Sequence, residues 1–212
     1  MPAVAFSPDG RYLVTRRENQ GVGVWDARTG REIGVLGVHD REIRGLAFSP
    51  DGRHLASASA EGTVKLWDAT RLGEKQEARE PMHVQVGQVA LQLAFSPDGR
   101  RLVAGGVENT VKIWDVPTGR ELQTLRGHSG DVWLAAFSPD PAGWWVASAG
   151  EDSTVKVWDS HTGTLLRSFR GHTGYIHGMA FSPDGRLLVS ASHDRTAKVW
   201  DLAPLEKKKL KQ

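Results

Sequence analysis

The sequence predicts an all-β chain built from five repeated units, each a small antiparallel sheet stacked against the next. Three observations carry that expectation. The run Phe-Ser-Pro-Asp returns at Phe6, Phe48, Phe95, Phe137 and Phe181, and Trp-Asp returns at Trp25, Trp67, Trp114, Trp158 and Trp200. Successive tryptophans of this set stand 42, 47, 44 and 42 residues apart, a period that marks a stacked-repeat architecture. In TVKLWD the residues Thr63, Lys65 and Trp67 share one face while Val64 and Leu66 share the other. A strand apolar on both faces needs neighbouring sheets on both sides.

The last unit shows the elements in order. YIHGMAFS is a short apolar strand, SPDG a turn, RLLVSAS a second strand, HDR a turn and TAKVWD a third strand. In the first turn Pro183 presets φ, Asp184 bonds locally to the backbone and Gly185 accepts the positive φ that closes the hairpin. A fourth strand follows a Thr-Gly turn, as in TGREIGVLG from Thr29 and TGRELQTLRGH from Thr118. Four short strands per unit, stacked on like units, is the pattern of propeller blades. Departures from the period fall in connections. Phe137 to Trp158 is 21 residues against 19 elsewhere, because FSPDG is replaced by FSPDPAG, and Trp67 to Phe95 is 28 against 23, which lengthens ATRLGEKQEAREPMHVQVG. Of Trp144 and Trp145, which follow the first lengthened turn, one is expected to pack between blades.

Composition excludes several classes. No apolar run approaches the roughly 20 residues of a membrane span, and MPAVAFSPDG enters the first repeat without a charged and then apolar leader. The chain therefore reads as cytoplasmic, without a membrane partner. Zero cysteines removes disulfides and thiolate metal sites. With 27 Lys and Arg against 25 Asp and Glu, the net charge of +2 argues against a nucleic-acid footprint.

The succession GH, FSPDG, SASxD and TVKVWD resembles the WD-repeat β-propeller family, and its Arg-rich, Lys-poor wording is similar to bacterial members. The resemblance covers residues 3 to about 201. It implies five four-stranded blades at approximately 1–37, 38–80, 81–126, 127–170 and 171–201, with residues 202–212 as a Lys-rich tail. Members close their ring by pairing strands from the two termini. Here residues 1–6 begin in an innermost strand, and Trp200 is followed only by DLAPLEKKKLKQ, so the last blade lacks a fourth strand. The ring is expected either to close irregularly or to remain an open arc, and an arc implies self-association through its unclosed terminal blades. Lys207, Lys208 and Lys209 read as a charged edge that discourages pairing.

The resemblance also assigns roles to a constellation that otherwise invites a hydrolase reading. His172, Ser190, Asp194 and Trp200, and likewise His128, Ser148, Asp152 and Trp158, form structural hydrogen-bond chains in the family. Each group, once buried, must find a partner, and a catalytic triad occurs once, not copied around a ring. The second repeat keeps His39, Ser57 and Trp67 but carries Glu61 at the acid position. The third has Val86, Ala104 and Glu108. The first retains Thr15, Asn19 and Trp25 without a histidine.

No GxxxxGK, HExxH or Asp-rich metal loop occurs. The chain is thus read as a non-enzyme with no cofactor and no metal site, the histidines His172, His177 and His193 included. Counting back from each Phe, four residues gives Arg44, Leu91, Trp133 and His177, and six gives Glu42, Val89, Asp131 and Tyr175. In the family these positions line one rim of the ring, as do the residues preceding the structural acid, here including Glu151 and His193. Aromatic and Arg side chains dominate interface energetics. The expected function is a rigid rim, carried by Glu42, Arg44, Asp131, Trp133, Glu151, Tyr175, His177 and His193, that binds a protein or peptide. The alternative is a small-ligand or hydrolytic site at the channel mouth.

Overall fold

The computed structural model describes residues 3–73, 82–85, 90–203 and 205. Nineteen strands form five antiparallel sheets in chain order. The first holds β1 (Val4–Phe6), β2 (Tyr12–Arg16), β3 (Gly21–Asp26) and β4 (Glu32–Val38). The second holds β5 (Ile43–Phe48), β6 (His54–Ser59), β7 (Thr63–Asp68) and β8 (Met82–Gln85). The third holds β9 (Ala90–Phe95), β10 (Arg101–Gly106), β11 (Thr110–Asp115) and β12 (Glu121–Arg126). The fourth holds β13 (Val132–Phe137), β14 (Trp145–Gly150), β15 (Val155–Asp159) and β16 (Leu165–Phe169). The fifth holds β17 (Ile176–Phe181), β18 (Leu187–Ser192) and β19 (Ala197–Asp201), and among the described residues it has no fourth strand. Because β8 pairs with β7, the second blade extends past residue 80, where its boundary was expected. The long connection after Asp68 displaces its outer strand along the sequence. Lys207, Lys208, Lys209, Val86 and Val89 lie outside the described residues.

The recurrent motifs are turn chemistry. In each Phe-Ser-Pro-Asp turn the Ser hydroxyl donates to the Asp carboxylate, at 2.6 Å for Ser7 and Ser49. The same hydroxyl accepts the amide of the residue opening the next strand, as Ser7 does from Tyr12 at 2.9 Å. The glycine that follows turns left-handed, with φ of 71° at Gly185. The Asp of Trp-Asp closes the next reversal. Asp26 accepts both the amide and the hydroxyl of Thr29, at 2.7 and 2.8 Å, and Asp115 bonds Thr118 in the same way.

Among the described residues the apolar side chains do not gather into one central core. Four apolar clusters each occupy one junction between successive blades: the first joins Val14, Val22 and Val24 to Leu55 and Trp67, the last joins Ala147 and Val157 to Leu188 and Leu202, and the two between them follow the same plan. Trp67, Trp158 and Trp200 each pack against the outer segment of the blade before them, at Gly37, Gly127 and Phe169. At Gly127, whose φ of 153° L side chains rarely adopt, an added Cβ would also lie 3.1 Å from the Trp158 ring, a tight contact.

The two ends differ from the junctions. Val14, Ala56, Val103, Ala147 and Val189 occupy the same place in their sheets, paired with Val24, Leu66, Ile113, Val157 and Val199. Four of the five pairs are buried by the following blade, whereas Val189 is 40% and Val199 65% exposed. On the first blade Val4 and Phe6 are bare, Phe6 at 63%. The blades form an open arc.

Candidate functional site

Three blades carry a chain of four side chains, built alike. β14 presents Ser148 opposite Lys156 of β15, and the Trp158 indole N–H donates to Ser148 Oγ at 2.7 Å. His128 Nε2 lies 2.7 Å from that oxygen, and its Nδ1 lies 2.8 Å from Asp152. One assignment satisfies every group: Nδ1–H donates to the carboxylate, Nε2 accepts the Ser hydroxyl, and the hydroxyl oxygen accepts the indole. In the fifth blade His172 joins Asp194 and Ser190 at 2.7 and 2.9 Å, with Trp200 donating to Ser190 at 2.9 Å. In the second, Glu61 reaches His39 at 2.7 Å, so the longer acid still completes the chain through Ser57 to Trp67.

The electrostatics follow from that bonding. Burial alone would raise the Glu61 carboxyl, but hydrogen bonds from Thr63, His39 and the Arg41 amide hold it down at about 2. Burial likewise opposes ionisation of Asp152, and His128, the Ser129 amide and Thr154 hold it well below the usual carboxylate range. Asp194 is held low chiefly by its Thr196 hydrogen bond, against a smaller effect of burial, with His172 and the Thr173 amide adding to it. The remaining blades depart from the pattern. Trp25 donates to Thr15 at 2.8 Å, and in the third blade Ala104, opposite Lys112, places a methyl where the others have a hydroxyl. Although the Ser, His and acid are linked in the order of a catalytic triad, each Ser is fully buried and already accepts an indole N–H. A nucleophile needs an approach to its substrate, and none of these hydroxyls has one.

The expected rim residues fall into two groups. Trp133 on β13 meets Tyr175 edge-on with ring centroids 5.3 Å apart, and Tyr175 meets His193 at 6.2 Å. These three rings form a row across the fourth and fifth blades, with Tyr175 and His193 open to solvent. Beside it the Asp131 amide donates to Glu151 at 3.1 Å, and burial together with the nearby Glu151 charge raises the Asp131 carboxyl. On the opposite side of the arc Glu42 receives both Arg44, at 2.8 Å, and Arg16. Arg44, Trp133 and His177 converge on a cavity of about 550 Å³ lined by the five innermost strands. Alignment on the Phe did not single out Gln92, which also lines it, nor Arg16; the first depends on the irregular pairing of β9 with β10, the second on a contact between blades.

Of the paired tryptophans, Trp145 is buried in the last junction and Trp144 is exposed, tilted over His161 at 5.0 Å. Among the described residues no group of three or more His, Asp or Glu is arranged to hold a metal, and no helix is long and apolar enough to cross a membrane.

Comparison with protein families matches four stretches to the family described as "WD domain, G-beta repeat", at residues 30–68, 80–115, 119–159 and 163–201. Each match ends at a Trp-Asp, and the first match takes in β4, so that only β1 to β3 of the first blade precede the matched stretches. Comparison with curated proteins gives no match.

Proposed function

Because the chain belongs to the WD-repeat family, whose repeats generally mediate protein–protein interaction, we propose that it is a non-catalytic scaffold whose rim binds a protein or peptide partner. The observation that carries this reading is the row Trp133, Tyr175 and His193 beside the channel on the fourth and fifth blades, half-buried at Trp133 and open to solvent at Tyr175 and His193. Rigid aromatic anchors bury large area at little conformational cost. Glu42, Arg44, Asp131, Glu151 and His177 surround the row and the mouth as the polar part of the contact. The burial of the Ser and His in all three sets favours this over the hydrolytic reading.

The test is affinity capture with wild type and with Trp133→Ala and Tyr175→Ala. Loss of the same identified partner in both variants is expected. Undiminished capture by both refutes the rim.

The bare faces of the first and fifth blades support a second role in self-association. Val4, Phe6, Val189 and Val199 are exposed where their counterparts are covered, and such patches mark contact surfaces.

A further inference from the structure

The channel mouth is zoned by charge. The innermost strands each contribute one to three residues to the channel wall. Among the described residues the polar side chains on that wall are Arg44, Gln92 and His177, each able to donate a hydrogen bond, and none of them is a carboxylate. Leu46, Trp133 and Met179 supply apolar surface between them. The rim carboxylates Glu42, Asp131 and Glu151 are not among the residues of the wall. Glu42 is shared by the two guanidiniums of Arg16 and Arg44, which leaves positive charge in excess on that side, and Glu151 accepts the Asp131 amide.

We infer that the mouth receives an acidic residue of the partner, an Asp or Glu carboxylate bound by Arg44, Gln92 and His177, with a neighbouring apolar side chain against Trp133 and Met179. The inference rests on the rim reading and specifies its partner. A cavity of this size suits one or two side chains. Charge-assisted bonds to a carboxylate are the strong ones, and a guanidinium presents them in pairs. The surrounding Glu42, Asp131 and Glu151 disfavour a second acidic group outside the mouth, which sets the register of the peptide.

Fluorescence anisotropy on the full chain tests this with three blocked, labelled peptides: Leu-Glu-Leu-Asp-Leu, its isostere Leu-Gln-Leu-Asn-Leu, and Leu-Lys-Leu-Lys-Leu. The acidic peptide is expected to bind at least about tenfold more tightly than the amide isostere at low salt. Arg44→Gln and His177→Gln, each checked for native circular dichroism, are expected to narrow that gap. Equal binding of acidic and amide peptides, preference for the lysine peptide, or an unchanged gap in both variants overturns the assignment. Displacement of the acidic peptide by a single-stranded oligonucleotide at equal concentration also overturns it, in favour of phosphate recognition. If the acidic peptide is refused while Trp133→Ala abolishes partner capture, the rim reading stands and only the acidic assignment falls.

Discussion

The fourth and fifth blades carry the same buried chain from indole to carboxylate, with every link between 2.7 and 2.9 Å. They differ in what covers them. Ala147 and Val157 of the fourth blade are sealed under the fifth, while the matching Val189 and Val199 face solvent. Internal hydrogen bonding therefore belongs to the repeat, and burial belongs to the repeat's place in the arc. Identical polar networks should then contribute unequally, because a group that can reach water after a small local opening loses less when its partner is removed.

Three experiments sharpen or break that contrast. The largest effect is expected from one substitution made at both places. Val157→Lys puts an ammonium between two sheets and should cost more than about 4 kcal/mol or abolish folding. Val199→Lys should stay within about 0.5 kcal/mol, and should lower the solution mass if the bare fifth face mediates self-association. Urea midpoints and light scattering read both. A large loss for Val199→Lys would mean that the face is covered.

Next come the histidines. His128→Ala strands Ser148 and Asp152 on a blade held by neighbours on both sides and is expected to cost about 2 to 3 kcal/mol. His172→Ala should cost about 1 kcal/mol, because its partners are reached by opening one terminal sheet. Equal losses in chemical denaturation would show that position in the arc does not matter.

The smallest effect is in the acid limb. A carboxylate whose folded value is depressed adds stability above its unfolded value, near 4, and loses it as pH falls through the folded value. For Glu61 the loss runs from about pH 4 to about 2, and for Asp152 and Asp194 it extends lower. Thermal melts across that range should show the slope flattened by Asp152→Asn more than by Asp194→Asn. The reverse order would contradict the comparison.

The sheets were legible because their signals are local. Ser7 and Asp9, or Asp26 and Thr29, make their bonds within a few residues of each other, so the turn chemistry is written in consecutive letters. The chains around Trp158 and Trp200 became legible through repetition in register. What could not be read depends on how one blade leans on the next. The meeting of Trp133 with Tyr175 is one case. Another is the burial of Arg101, whose guanidinium donates to Ser160 at 2.9 Å and to the Ala142 carbonyl at 2.6 Å across a junction. Glu61 looked like a defect at the acid position, yet from the same place in the turn its longer side chain meets His39 at 2.7 Å.

Four separate apolar seams in place of a shared centre make cohesion a nearest-neighbour matter. Each inner blade is gripped twice and each end blade once, so dissolution should begin at the tips and travel inward like beads leaving an unclasped string. The channel wall, assembled from all five inner strands, is then only as durable as the two members held from a single side, and whatever bridges those tips would firm up the binding mouth without touching it.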